Sequence, residues 1–286
     1  MNWSEPVDLY CERVGTGFWA EPVNALTNAA FLVAAAIAFV RWWRAGGRDW
    51  PTLALIVVLV AVGFGSFAFH TLATRGAVYL DVVPIAVFIY GYLLLALRRF
   101  LALPWRATIE LLVVFFAASR VLPQLAGSGA LNGSLDYLPA LAAMLILVWF
   151  VPSKVRPAIW LAAILFLVSL ALRTMDQAVC AAFPLGTHFI WHLLNAAVLL
   201  VLLDAAISAA RPAVRIGSPV LVRPLHPDLL RKWFQLAHRC LIPTVRRPRR
   251  VAVQLRGSRR AIHCWCRTCA RRDRAADALA RHQRQA

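Results

Sequence analysis

Three histidines, an aspartate and a serine stand in stretches that are otherwise apolar: Ser66 and His70 in GFGSFAFHTLA, Asp81 in YLDVVP, and His188 and His192 in GTHFIWHLLNA. A spacing of four puts Ser66 beside His70, and His188 beside His192, on single helix faces about 6 Å apart along the axis. Three neutral imidazoles that leave one coordination position open form a catalytic zinc arrangement, in which the metal lowers the pKa of its bound water to about 7. Such a water attacks an amide or ester carbonyl. Asp81 would accept or relay its proton, and the Ser66 hydroxyl could donate to the developing oxyanion. The competing reading is packing: a single intramembrane histidine is more often a hydrogen-bonded packing residue, and an HxxxH pair is common in helices. A third histidine, an aspartate and a serine at the same expected depth favour the metal.

These residues must be positioned by membrane helices. Hydrophobic residues make up 61% of the 286-residue chain and charged ones 15%, against roughly 45–50% and about 25% in soluble domains. Apolar runs cover 24–43, 52–70, 78–97, 107–122, 136–152, 157–173 and 187–207. The first three and the last approach the ~20 residues that span a bilayer, and runs four to six are a few residues shorter. The sequence predicts an all-α bundle of seven transmembrane helices, 24–207, between an N-terminal segment, 1–23, and a basic tail, 208–286. Acidic residues in Met1 to Glu21 argue against a cleavable signal, so the first helix is expected to direct insertion.

Arginines set the orientation, because short cytoplasmic loops carry the excess of Lys and Arg. Arg41, Arg44, Arg48, Arg98, Arg99, Arg106, Lys154 and Arg156 follow helices one, three and five, whereas only Arg75, Arg120 and Arg173 fall in the intervening loops. The N-terminus is therefore expected outside and the C-terminus in the cytoplasm. Residues 211–286 hold 18 Arg and one Lys against three Asp, so the tail supplies nearly all of the net charge of +18. With this orientation the five chemistry-bearing residues fall in the outer half of the membrane, where each ionisable group is a functional hypothesis.

The pattern Ser66-x3-His70, Asp81 and His188-x3-His192 resembles the alkaline ceramidase family, part of a wider group of seven-helix membrane hydrolases that includes the adiponectin and progestin receptors. The resemblance covers about residues 8–207. It implies that His70, His188 and His192 bind zinc, that Asp81 assists the zinc-bound water and that Ser66 stabilises the transition state. An outside N-terminus favours the ceramidase branch, since the adiponectin-type receptors are similar in their helices but inverted. In DLYCERVGTGFWAEPVNALTN, Asp8, Glu12, Glu21 and Asn24 are similar to a calcium-binding cluster of that family, and oxygen ligands are what calcium takes. The pattern departs where Leu9 and Tyr10 separate Asp8 from Cys11 and where Arg13 follows Glu12. An acidic segment that merely keeps to the outside is the alternative. The resemblance also implies a disulfide between Cys11 and Cys180, two cysteines expected in an oxidising compartment.

Asp176 is expected to be structural, pairing with Arg173 or the N-terminal segment. Asn195 would either orient His192 or join two helices. In the tail, 226–242 is loosely amphipathic and could lie on anionic lipid, the Arg-rich end beyond it reads as disordered, and HCWCRTC holds a single CxxC, too little for a zinc finger. Basic charge without interleaved aromatics or a module gives no expectation of specific nucleic-acid binding. The function expected is zinc-dependent cleavage of the amide of ceramide or a similar N-acyl lipid drawn from the bilayer. The Ala, Leu and Arg bias fits a GC-rich bacterium, hence a bacterial inner membrane, and lowers ceramide relative to another acylated amine. The alternatives are a non-enzymatic seven-helix lipid sensor or receptor with a structural zinc and, ranked behind it, an ion transporter.

Overall fold

The structure, a computed structural model, describes residues 2–127, 130–210, 250–254 and 261–265. Helices α1 (Pro22–Thr27) and α2 (Ala29–Arg44) follow one another as a single span, and α3 (Trp50–Leu72), α4 (Arg75–Arg99) and α5 (Trp105–Ala126) come next. A 3-10 turn, Ala130–Tyr137, leads into α6 (Leu138–Phe150), and α7 (Arg156–Val179) and α8 (His188–Ala210) complete the set. Seven of these spans are long and apolar enough to cross a membrane.

Local signals account for most boundaries. Proline stands in the first turn of α1, α3, α6 and α7, where its missing N–H costs no hydrogen bond. Thr74 caps α4 by accepting from the Ala77 N–H at 3.2 Å, and α3 ends at Ala73 in the left-handed region. Four boundaries depart from the sequence reading. Helix α5 runs on through Pro123. The fifth apolar run begins inside the 3-10 turn, where Leu131, Asn132 and Gly133 have positive φ. Helix α7 continues past Arg173 to Val179, because its polar last turn is satisfied from inside the protein: Thr174 meets Ser134 at 2.9 Å, and Asp176 caps α8. At the other boundary α8 takes in 208–210, which the sequence reading gave to the tail.

Helix α3 lies along α4, α7 lies along α8, and α2 packs against both α3 and α8, while α5 sits at the edge against α4 and α6. Gly65 sets the closest approach: a Cβ there would stand 1.9 Å from the Leu80 carbonyl oxygen of α4. The core contains Leu59, Phe88, Ile159 and Leu203, all buried. Outward positions are equally apolar, for example Ile109, Val113, Val114 and Phe116 on α5, as expected of helices that face lipid. One end of the bundle is tied by Arg99, which reaches Asp49 at 2.6 and 2.8 Å, Thr52 at 3.0 Å and the Ala206 carbonyl at 3.0 Å. The histidines occupy the opposite end.

In the tail, β1 (Arg250–Gln254) pairs antiparallel with β2 (Ala261–Trp265), Val251 facing Cys264 and Ala252 facing His263. Val251, Val253 and Ile262 are strand formers. The amphipathic stretch 226–242, Cys266 and Cys269 lie outside the described residues.

Candidate metal centre

The end of α3 brings in His70 and the start of α8 brings in His188 and His192. Their ligand atoms all lie within 4.8 Å of one another, and all three side chains are buried. Each has one ring nitrogen that is buried and without a hydrogen-bond partner: Nε2 of His70, Nδ1 of His188 and Nε2 of His192. Buried polar atoms are almost always paired, so three unpaired imidazole nitrogens gathered together fit a bound cation. Among the described residues no other group of histidine, cysteine or acidic side chains gathers in this way.

Neighbours fix two of the tautomers. His70 Nδ1 lies 2.6 Å from Glu21 Oε2, so it carries the proton and leaves Nε2 as a lone pair. Thr27 Oγ1 lies 2.9 Å from His192 Nδ1 and donates its own proton to the Val23 carbonyl at 2.7 Å. It therefore accepts from Nδ1, and His192 Nε2 is again a lone pair. The Tyr10 ring stacks on His188 with centroids 3.6 Å apart and planes 18° apart. A ligating histidine whose other nitrogen is bonded to a carboxylate or hydroxyl is the usual companion of a metal.

Ser66 and Asp81 lie on the two helices that approach closely at Gly65. Ser66 is buried one turn before His70 and stands beside the Asp81 side chain. Asp81 Oδ1 is buried without a partner, and its charge acts through space on Arg173, Tyr10 and Tyr137. An apolar cavity opens inside the bundle between Phe31, Phe88, Tyr137, Met144, Trp191 and Leu202. Two of its walls touch the histidines: the Phe31 ring centroid is 6.2 Å from that of His192, and Trp191 stacks on His188 at 6.4 Å.

Of the four residues considered for calcium, Glu12, Glu21 and Asn24 are buried, Asn24 bonds to both carboxylates, and Asn24 Oδ1 is without a partner. Asp8 is exposed. Glu12 spends both oxygens on the N-terminus of α1, accepting from the Val23 N–H at 2.6 Å and the Asn24 N–H at 2.7 Å. Glu21 faces Arg13 at 2.5 Å, His70, and the Asn24 amide at 3.1 Å. Arg13, the residue at which the pattern departs from the family, also donates to the His70 carbonyl at 3.2 Å. A guanidinium thus supplies positive charge in this part of the segment, and Glu21 serves His70.

Cys11 and Cys180 are joined by a disulfide with Cα atoms 5.2 Å apart. Asp176 bonds to the N-terminal segment and not to Arg173: it accepts from the backbone N–H groups of Cys11 at 3.1 Å, Thr187 at 2.6 Å and His188 at 2.9 Å. Gly186 makes room for it, since a Cβ there would lie 2.1 Å from Asp176 Oδ1. Asn195 joins helices, donating to Ser169 of α7 at 3.0 Å and to the Trp191 carbonyl. His192 is instead oriented by Thr27, which no local pattern marks. Tyr10, Arg13 and Arg173 also escaped the sequence reading as site residues, because none shares a helix face with a histidine.

Compared with protein-family models and with curated proteins, the chain matches none.

Proposed function

We propose that the chain is an integral membrane hydrolase that cleaves the amide bond of a long-chain N-acyl lipid, with zinc held by His70, His188 and His192. The observation that carries this reading is the set of three buried, unpartnered imidazole nitrogens, with Ser66 one turn before His70, Asp81 beside Ser66, and two walls of an apolar cavity against the histidine rings. Zinc on three histidines polarises a carbonyl and makes water a nucleophile near neutral pH.

The protein's own groups do the rest. The cavity takes the acyl chain and sets the scissile carbonyl at the histidine end. The Asp81 carboxylate, with its free Oδ1, accepts the proton lost by water and returns it to the departing nitrogen. The Ser66 hydroxyl donates to the carbonyl oxygen as negative charge collects on it. Oxygen from water joins the acyl carbon, the C–N bond breaks, and the products are a fatty acid and an amine.

The membrane reading rests on the seven apolar spans. The Arg distribution supports an outer position for the histidine end, and the Cys11–Cys180 disulfide at that end fits an oxidising compartment. A bacterial inner membrane fits the same orientation. Ceramide is the substrate of the family that the sequence resembles, and other N-acyl amines follow from the same chemistry.

The deciding experiment measures metal in the detergent-purified protein and in His70→Ala and His192→Ala, then turnover of N-acyl lipids by the parent and Asp81→Asn. About one zinc per chain, lost in both histidine variants, together with turnover abolished in an Asp81→Asn protein that keeps its zinc, is the result expected. Zinc without turnover of any N-acyl lipid, and lipid binding unchanged in Asp81→Asn, would make the chain a receptor with a structural metal.

A further inference from the structure

Arg173 projects from α7 at the histidine end of the bundle, and among the described residues it makes no ion pair. One Nη donates to the Tyr10 hydroxyl at 3.0 Å, while Nε is buried without a partner. Three rings surround the guanidinium carbon, at 5.8 Å for Tyr10, 5.5 Å for Tyr137 and 5.1 Å for Trp191. Asp81 acts on it through space but forms no bridge.

The position is more telling than the exposure. Tyr137 and Trp191 are walls of the apolar cavity, and Tyr10 is the ring stacked on His188. Arg173 therefore stands where the cavity meets the histidines, beside whatever polar group follows the acyl chain. A guanidinium held among rings is expensive in a membrane protein unless an anion neutralises it, and one unused N–H face matches a carboxylate. A neutral hydroxyl would take the hydrogen bond and leave the charge.

We propose that Arg173 selects the substrate's head group: the lipid is an N-acyl amine whose amine portion carries a carboxylate, and that carboxylate binds at the unused Nε–H of Arg173. The assignment of the scissile amide rests on the hydrolase reading above; the anion preference does not.

The test compares three probes of equal chain length, N-palmitoylglycine, N-palmitoylethanolamide and palmitate, for binding to the zinc-loaded parent, Arg173→Gln and Arg173→Lys, with turnover followed in parallel. The parent is expected to bind the glycine conjugate at least about ten-fold more tightly than the ethanolamide, the scale of one charge-assisted hydrogen bond. Arg173→Gln should lose that preference while ethanolamide affinity stays within about three-fold, and Arg173→Lys should keep part of it. Metal content and the Cys11–Cys180 bond serve as folding checks. If Arg173→Gln does not fold, the parent's preference and the lysine variant decide alone.

A parent with no preference for the acid overturns the proposal, as does an Arg173→Gln variant that weakens both conjugates equally. Loss confined to palmitate would assign the guanidinium to the fatty-acid product and also overturn it. An Arg173-dependent preference without turnover keeps the proposal and removes the hydrolase reading. Turnover of both conjugates with equal kcat/KM does the reverse.

Discussion

Glu21 holds His70, Arg13 and Asn24 at once, and the candidate metal centre depends on it more than the spacing of the histidines reveals. Its carboxylate is nearly inaccessible to solvent, as is the Arg13 guanidinium. Replacing Glu21 by Gln keeps the shape but removes the charge that makes His70 a stronger ligand, so zinc affinity should fall about 10–100-fold, read by chelator competition. Arg13→Ala should be costlier to folding, by about 3–5 kcal/mol, because it leaves a buried carboxylate without its guanidinium. Thermal unfolding in detergent measures that loss; an unchanged midpoint would show that Glu21 does not need the pair. At this scale the sequence was readable where chemistry repeats with helical spacing. Ser66, His70, His188 and His192 announced themselves, whereas Thr27, Tyr10 and Arg13 contact the histidines only through tertiary structure.

Helices meet the site through a few close contacts, and Gly65 is the tightest. A methyl group there would strike the Leu80 carbonyl of α4, while one at Gly63 would strike the Leu32 side chain at 2.8 Å and crowd Phe31 Cβ at 3.3 Å. Gly65→Ala should therefore destabilise the bundle by about 2 kcal/mol or more beyond Gly63→Ala, since a leucine can rotate and a backbone cannot. The same variant should shift Asp81 away from Ser66 and lower turnover; equal melting of the two variants would contradict the packing described. Span boundaries were legible at Arg44 and at Arg98–Arg99, where an apolar run ended and the helix ended with it, but not at Pro123, which α5 runs through. They were missed at α7, because composition reports which residues suit lipid and is silent on polar residues that a neighbouring segment satisfies, such as Thr174 and Asp176.

Across the whole molecule, two devices hold the ends of the bundle. At one end, burial raises the Asp49 carboxyl but the bonds from Arg99 and Thr52 outweigh it and hold the group below its ordinary range. A lowered folded value means that ionised Asp49 stabilises the protein above the unfolded carboxylate pKa of about 3.9, and that this contribution disappears as pH falls through the folded value. The difference in melting temperature between parent and Asp49→Asn should be largest near neutral pH and shrink below about pH 4. At the other end the disulfide closes a separation of 169 residues. Cys11→Ser should cost about 2–5 kcal/mol, measured against the oxidised parent.

The tie between Thr27 and His192 joins residues 165 apart in the chain, and this bears on biogenesis. His70 and Glu21 both precede the end of the second span, whereas His188 and His192 come only with the last helix. A nascent chain interrupted before the last helix lacks two of the three imidazoles and should retain no metal. Closure of the Cys11–Cys180 link is equally late and can serve as a chemical timestamp of maturity.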